Sequence, residues 1–243
     1  MKRKFKILGF NVFEAALIAI VSVISAWFFV QTFASGDSEI IGYAAIDLAA
    51  AFCGICSVVL CAKGKRSGFL FGLANVAGYA FISFHNAYYG EVMLNVLFYI
   101  PANIVSYIIW TKHKDHERDD KEVKARAMKW WQLAISIIVI AIITIGYHFI
   151  LEALGGAMTY LDGATTVMSI FATILMALRY SEQWFFWIII DVLTVILWCI
   201  AGDPVMIVMW SAYLVNAFYG YLMWLNKSGC KVPFKPLLDL AAR

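Results

Sequence analysis

Charged residues are scarce in this 243-residue chain: Asp, Glu, Lys and Arg make up 14% of it, whereas 63% of its residues are hydrophobic. Such a composition excludes an ordinary soluble domain. The strict alternation of a membrane β-barrel is also missing, because the apolar residues form long continuous runs. Each run approaches the roughly 20 residues that a helix needs to cross a bilayer. The eight runs cover residues 10–33, 39–62, 67–89, 91–111, 130–152, 163–178, 184–201 and 204–226.

The motifs of common enzyme classes are also missing. The sequence contains no Walker A loop, no Gly-x-Ser-x-Gly and no His-Glu-x-x-His. No Lys lies inside an apolar run, which excludes a retinal Schiff base. The pair Cys53 and Cys56 has no second cysteine pair or histidine beside it, so we interpret both as buried thiols. We therefore expect a non-enzyme without cofactor or metal, and the scattered basic residues predict no nucleic acid partner.

The basic residues lie on one side of the predicted membrane. If the N-terminus is inside and the runs alternate, all 19 Lys and Arg residues fall in inner segments. The outer loops carry acids instead, such as Glu152 and Asp203. Because positive charge in short loops sets orientation during insertion, this asymmetry predicts a multi-pass bacterial inner (plasma) membrane protein with both termini in the cytoplasm. Glu14, near the inner end of the first run, is expected to snorkel to the cytoplasm.

An internal repeat divides the sequence. Residues 39–111 and 163–226 each contain three runs with tight connections, and their features match at a spacing of about 112–116 residues. The matched pairs are Lys63 with Arg179, Asn75 with Asp191, Gly90 with Gly202, Tyr99 with Tyr213 and Trp110 with Trp224. One run, 130–152, separates the triplets, so both must insert with the same orientation. Parallel repeats are typical of transporters, with the substrate site near the midplane at the repeat interface.

These observations predict an all-α integral membrane protein of eight transmembrane helices, arranged 1+3+1+3 around two parallel three-helix repeats. The connector between Lys112 and Lys129 mixes seven basic with five acidic residues, and we interpret it as a solvated loop. The predicted segments are an extra N-terminal helix (1–38), a first bundle (39–111), a cytoplasmic connector with linking helix (112–162), a second bundle (163–228) and a cytoplasmic tail (229–243).

Polar and aromatic side chains follow one helix face in several runs. Trp184, Trp187 and Asp191 are spaced i, i+3, i+7, so two indoles and a carboxylate share a face that can hold a flat cationic ring. The alternatives are a tryptophan belt at the membrane interface and a structural hydrogen bond from Asp191. Further candidate substrate-binding residues are Asn75, Asn95, Tyr99, Asn103, Tyr213, Asn216 and Tyr219.

Polar residues in lipid must face the bundle interior, although any single Asn could merely join two helices. Pro101, in the fourth run, frees a backbone carbonyl and is a candidate hinge. Asp191 is the only carboxylate that we expect deep in the core, so no proton relay is predicted.

Two of these motifs carry a family resemblance. Trp184-x-x-Trp187 with Asp191, and Asn216-x-x-Tyr-Gly-Tyr-x-x-Trp224, together with the repeats, resemble the PnuC family of nicotinamide riboside transporters across residues 40–228. The resemblance implies a three-plus-one-plus-three core like two bundles of the SWEET type, and a homo-oligomer such as a trimer. It also implies facilitated diffusion of a vitamin precursor that is trapped by cytoplasmic phosphorylation.

Site roles follow from the same resemblance. Trp184 and Trp187 would flank the substrate ring, and Asn216 with Tyr219 would bind its amide or ribose hydroxyls. A phosphorylated substrate would require Arg or Lys, which the runs lack, so the nucleoside is favoured over the mononucleotide. The predicted mechanism is a uniporter whose two bundles rock around the solute. The alternatives are a thiamine or riboflavin transporter of the same fold, and a membrane sensor that binds ligand without translocating it.

Overall fold

The computed structural model describes residues 10–34, 38–85, 89–115, 119–153, 159–201 and 204–229. Its helices are α1 (Val12–Phe33), α2 (Ser38–Ala62), α3 (Gly68–His85), α4 (Tyr89–Leu94), α5 (Ile100–Lys112), α6 (Trp130–Ala153), α7 (Thr159–Ala177), α8 (Gln183–Ala201) and α9 (Pro204–Lys227). Within these ranges seven helical segments are long and apolar enough to cross a membrane, and one of them, Val92–Lys112, combines α4, the turn after it and α5. The apolar part of α7, Gly163–Ala177, is shorter. The prediction of a helical multi-pass membrane protein is confirmed at this level.

The helices belong to two compact units. Unit 1 contains α1 to α5 and extends to Val123, and unit 2 begins at Lys124 and contains α6 to α9. In unit 1, α2 packs against both α1 and α3, and α3 packs against α5. In unit 2, α6 packs against α7, α7 against α8 and α8 against α9. Each predicted three-helix bundle therefore packs with one further helix, α1 in unit 1 and α6 in unit 2.

The start of α1 corrects the expectation for Glu14. The Asn11 side chain accepts from the Glu14 backbone N–H, and the Glu14 carboxylate accepts from the Asn11 N–H, which forms a capping box. The carboxylate is buried and forms an ion pair of 2.6 Å with Lys63 at the end of α2. Lys63 also lies over the Phe10 ring. The snorkelling prediction is wrong, because a carboxylate with these partners is satisfied inside the protein.

The first helix of each predicted repeat ends in the same way. Gly64 follows α2 with a φ of 75°, and Arg179 follows α7 with a φ of 69°. The next residue in each case, Lys65 or Tyr180, donates its N–H to a carbonyl five residues back at 2.9 Å. This is the Schellman arrangement, in which a residue in the left-handed region ends the helix. Glycine adopts that conformation freely, whereas arginine does so at a cost of about 1 kcal/mol.

These two turns also fix the register of the repeat. Gly64 and Arg179 are 115 positions apart. At that spacing the partner of Asp191 is Val76, a buried residue of α3. The predicted match of Asn75 with Asp191 is therefore one residue out of register, because it was aligned on Lys63 rather than on the residue with positive φ.

The connector contains extended structure. Strands β1 (Lys114–Asp115) and β2 (Asp119–Val123) pair in antiparallel fashion. In unit 1, the Val123 N–H donates to the Gly64 carbonyl at 2.9 Å, and the Val123 side chain is buried. In unit 2, the Arg126 N–H donates to the Arg179 carbonyl at 2.8 Å. The two turns therefore each offer a backbone acceptor that the connector satisfies.

The fourth predicted span contains an irregular segment. A π-helical turn, Asn95–Tyr99, joins α4 to α5, and the Ile100 N–H donates to the Asn95 carbonyl five residues back. Pro101 follows at the start of α5. The wider turn accommodates the proline, which has no N–H and would crowd the carbonyl four residues back in a regular helix.

Candidate functional site

A group of buried polar and aromatic side chains lies on α8 and α9 of unit 2. Trp184 and Asp191 of α8 are each 4% exposed, and Asn216 and Tyr219 of α9 are also buried. All four belong to the predicted substrate site. The burial of these four side chains shows that they face protein rather than lipid.

Trp184 is held between two residues of α9. An ideal Cβ built on Gly220 would lie 2.7 Å from the indole Cε2, so the ring rests directly on the glycine backbone. The Trp224 ring meets it edge to face at a centroid distance of 6.4 Å. Because α8 and α9 approach so closely, one position of the indole is enforced. A fixed indole is suited to stacking against a flat ligand.

The same arrangement occurs in unit 1. Phe69 of α3, which is 115 positions before Trp184, meets Trp110 of α5 edge to face at 4.6 Å. The repeat thus preserves an aromatic pair between its second and third helices. Ser106 stands where the other repeat has Gly220, so an aromatic ring that rests on a glycine at this position is particular to unit 2.

Trp187 has a different environment from Trp184. It is half-buried and packs against an apolar cluster of α6, α7 and α8, here named the α6–α8 cluster. The cluster consists of Ile140, Val167, Met168, Ala172, Leu175, Phe186 and Ile190. Trp187 therefore packs against the α6–α8 cluster, whereas Trp184 packs against α9.

The candidates of unit 1 make helix-packing contacts. The Asn75 amide donates to the Ala50 carbonyl of α2 at 2.8 Å. The Asn103 amide donates to the Tyr99 carbonyl at 2.9 Å, and its oxygen lies against Gly72 of α3. The contact of Asn75 with α2 corresponds to the alternative in which an asparagine joins two helices, whereas the Asn103 amide donates to a carbonyl four residues before it. Asn95, in the π-turn, is buried.

Three further candidates lie in less enclosed places, and the first of them, Tyr99 at the end of the π-turn, is half-buried. Tyr213 of α9 is half-buried and meets Trp210 edge to face at 5.6 Å. Pro101 is exposed at the start of α5. Of the candidates, Trp184, Asp191, Asn216 and Tyr219 therefore form the buried set on α8 and α9.

Gln183 was missed from the sequence, although it directly precedes Trp184. Its side chain is 0% exposed, and neither amide atom has a hydrogen bond within the described part of the chain. The Trp184 Nε1 is likewise buried without an acceptor there. A glutamine at the end of an apolar run gives little signal by itself, since the same residue type commonly faces water at a helix start.

Asp47 was also missed, as a carboxylate within the apolar run that forms α2. It lies about 14 Å along α2 from its first residue. Its side chain is exposed, on the helix side opposite the exposed stripe of Ala45, Ala49 and Phe52. An acidic residue within an apolar run is the signal that could have found it.

The turn before α8 holds a second buried polar group. The Ser181 hydroxyl lies 3.1 Å from the Arg126 carbonyl and 3.2 Å from the Trp224 carbonyl. One carboxylate oxygen of Glu182 accepts from the Met128 N–H at 2.9 Å. Burial raises the pKa of Glu182, and the backbone hydrogen bonds partly oppose that shift. These contacts fix the entry to α8 and so the position of Gln183 and Trp184.

An open groove of about 400 Å³ also lies on unit 2, along α6, α7 and α8. Its lining is apolar, with Ile137, Met168 and Phe185 among its residues and Thr144 as its one hydroxyl. Such a surface cannot satisfy a polar solute. The buried set on α8 and α9 is therefore the better candidate site.

Comparisons with known proteins give a consistent result. The model of the nicotinamide mononucleotide transporter family matches residues 44–226. A nicotinamide riboside transporter PnuC of Neisseria mucosa is 38% identical over 226 residues, covering 89% of this chain and 82% of the relative. The PnuC transporter of Haemophilus influenzae is 34% identical, with 92% and 94% covered. The crystal structure of the vitamin B3 transporter PnuC is similar with a TM-score of 0.73 at 37% identity, covering 91% of this chain and 94% of that one. These similarities confirm the resemblance that the motifs of α8 and α9 predict.

Proposed function

This chain belongs to the nicotinamide mononucleotide transporter family, and on that premise we propose that it takes up nicotinamide riboside across the bacterial inner membrane. The similar proteins of Neisseria mucosa and Haemophilus influenzae carry the name nicotinamide riboside transporter. The substrate is a flat pyridinium ring with a carboxamide and an uncharged ribose. Its transport requires no chemical step, which agrees with a family of transporters rather than enzymes.

The observation that carries this proposal is the buried set on α8 and α9. The fixed indole of Trp184 offers a π face that attracts a cationic ring. Asp191, 4% exposed, supplies a carboxylate of opposite charge, and Asn216 with Tyr219 supplies hydrogen-bonding groups. Trp187, backed by the α6–α8 cluster, is proposed as the second aromatic contact.

The family description leaves the mononucleotide as a second candidate. Its phosphate would require Arg or Lys side chains for strong recognition. No Lys or Arg lies inside the apolar runs. Lys112 and Lys227 follow two of the runs directly, at the ends of α5 and α9. The absence of cations therefore favours the riboside. Thiamine and riboflavin are also flat-ring vitamins, so both should be tested as competitors of riboside binding.

The finer architecture is part of the proposal. We infer eight transmembrane helices arranged 1+3+1+3, with the apolar part of α7 as the shortest span and both termini in the cytoplasm. The one-sided distribution of basic residues supports this topology. The two similar helix ends at Gly64 and Arg179 support a parallel repeat. Further parts of the proposal are a homo-oligomer such as a trimer, and Asn75, Asn95, Tyr99, Asn103 and Tyr213 as additional substrate contacts.

We propose uniport with alternating access, followed by phosphorylation of the riboside in the cytoplasm. Pro101 and the π-turn before it form the proposed hinge, because both are irregularities at which a helix can bend. The test is uptake of radiolabelled riboside into proteoliposomes with the membrane potential clamped. A uniporter gives the same initial rate with and without an imposed pH gradient. A rate that rises with inward proton flow would replace uniport by proton coupling, and Asp47 and Asp191 would be the carboxylates to examine.

A further inference from the structure

Gln183 is the most completely enclosed amide side chain of unit 2. It is 0% exposed, and both Oε1 and Nε2 are without hydrogen bonds in the described residues. The amide nitrogen and oxygen of a glutamine can together make several hydrogen bonds. Leaving a buried polar group unsatisfied is unfavourable, and few such groups occur in native proteins. A side chain in this condition therefore indicates a partner that binds there.

The position of Gln183 points to the same site as the family motifs. It precedes Trp184 directly and lies one turn before Trp187, with Asp191 one further turn along α8. The backbone here is fixed by the Glu182 contact with the Met128 N–H and by the Ser181 hydroxyl. The unsatisfied amide is therefore held beside the proposed ring contacts by a rigid turn.

The indole of Trp184 adds a second unsatisfied donor. Its Nε1 is buried, and no acceptor for it lies in the parts of the chain that the structure describes. One amide and one indole N–H on consecutive residues offer two kinds of donor and one acceptor. A primary carboxamide is complementary to this set, because it has one carbonyl acceptor and two N–H donors of its own.

We propose that Gln183 is a specificity-determining residue that recognises the carboxamide of the transported ring. Its Nε2 donates to the carboxamide oxygen of the substrate, and its Oε1 accepts from the carboxamide N–H. The Trp184 Nε1 is a further donor to the polar edge of the ligand. This proposal rests on the proposed riboside function and specifies how the site tells a carboxamide from other ring substituents.

The test combines a change in the protein with a change in the ligand. Binding of nicotinamide riboside is compared with that of 3-acetylpyridine riboside, whose methyl ketone keeps the acceptor but lacks the N–H donors. The original protein is expected to prefer the carboxamide by about tenfold or more, because the ketone leaves Oε1 buried and unsatisfied. In Gln183→Met, both ligands bind more weakly and the preference falls to within about twofold. Calorimetry in detergent gives both constants.

Two further variants separate recognition from folding. Gln183→Glu keeps an acceptor oxygen, so it retains the preference for the carboxamide. Gln132→Met is the matched control, because Gln132 accepts from the Lys129 N–H at the start of α6 and the same change there removes a hydrogen bond away from the site. The control is expected to keep both affinities. Thermal unfolding of all variants identifies any that fail to fold. If Gln183→Met fails to fold, the two ligands are compared in Gln183→Glu instead.

The outcomes are distinct. A full carboxamide preference in Gln183→Met overturns the proposal and leaves Gln183 as a structural residue. Loss of the preference in Gln183→Glu, while the control Gln132→Met keeps it, also overturns it. If the original protein binds neither riboside, the proposed function itself fails, and that result is visible before any variant is made.

Discussion

The indole of Trp184 lies against the backbone of Gly220, with its Cε2 2.7 Å from the place where a side chain would begin. Glycine is required here because α8 and α9 approach each other at the ring. The equivalent residue of the first repeat is Ser106, and the aromatic ring beside it is the smaller Phe69 instead of a tryptophan.

Gly220→Ala is expected to displace the Trp184 indole. The ring is buried and meets Trp224, so it cannot move without disturbing α9. We expect a loss of about 1–3 kcal/mol in the free energy of unfolding. Riboside affinity should fall by about tenfold or more, since ring position sets the stacking contact. Thermal unfolding and calorimetry measure the two effects.

Gly146→Ala is the matched control for that change. Nothing lies within 4 Å of an ideal Cβ at Gly146 in α6. The same substitution there should leave binding unchanged and stabilise α6 by up to about 1 kcal/mol. Equal behaviour of the two alanine variants would show that the Trp184–Gly220 contact is unimportant.

The two Schellman turns give a prediction about backbone strain. Arg179→Gly and Arg179→Ala both remove the guanidinium, but only glycine adopts a φ of 69° without cost. The glycine variant should therefore be more stable than the alanine variant by about 1 kcal/mol. Gly64→Ala should lose a similar amount, because the φ there is 75°. Equal stability of the two Arg179 variants would contradict the left-handed conformation at that position.

Much of the fold follows from the sequence, because lipid allows few alternatives. The predicted run 130–152 corresponds to α6, Trp130–Ala153, and the run 184–201 to α8, Gln183–Ala201. The connector was predicted less well. Its strand β2 is rich in charge and has no hydrophobic pattern, and its pairing depends on a backbone acceptor at Gly64 that arises only when α2 ends there.

The ion pair between Glu14 and Lys63 should contribute to the stability of unit 1. The pair is short and both side chains are largely buried. Lys63→Met leaves a buried carboxylate without its oppositely charged partner and should cost about 3–5 kcal/mol. The double variant with Glu14→Gln should cost less than the sum of the single changes, by about 1–3 kcal/mol. Lys129→Met, at an exposed lysine, is the control and should change stability by less than about 0.5 kcal/mol. Additive effects in the double variant would show that the pair does not couple.

The raised pKa of Glu182 predicts a specific pH dependence. Because burial favours the protonated form, the folded protein binds this proton more tightly than the unfolded chain does. The contribution to stability is complete below the ordinary glutamate pKa of about 4.3 and is lost as pH rises through the folded value. Glu182→Gln keeps an acceptor for the Met128 N–H and removes the titration. The variant should therefore gain stability relative to the original protein as pH rises, measured by thermal unfolding across that range. A constant difference, or one of opposite slope, would contradict the shift.

The site was predicted in part, for a physical reason. Asp191 and Asn216 stand out in a sequence because polar residues are expensive within lipid, and Trp184 stands out as part of the Trp-x-x-Trp motif. Gln183 lies at a helix start, where glutamine is ordinary, and only its complete burial marks it. Asn75 and Asn103 carry the same sequence signal as Asn216, and their amides pair with backbone carbonyls of their own unit. Residue type therefore predicts that a side chain avoids lipid, whereas the packing decides what it contacts.

Uptake by proteoliposomes tests the central claim most directly. Radiolabelled nicotinamide riboside and nicotinamide mononucleotide are supplied separately at equal concentration, with the membrane potential clamped and protein-free liposomes as the blank. The account predicts saturable entry of the riboside, entry of the mononucleotide at the blank rate, and loss of riboside entry in Trp184→Ala. Mononucleotide entry at a rate similar to that of the riboside, or no riboside entry above the blank, would contradict it.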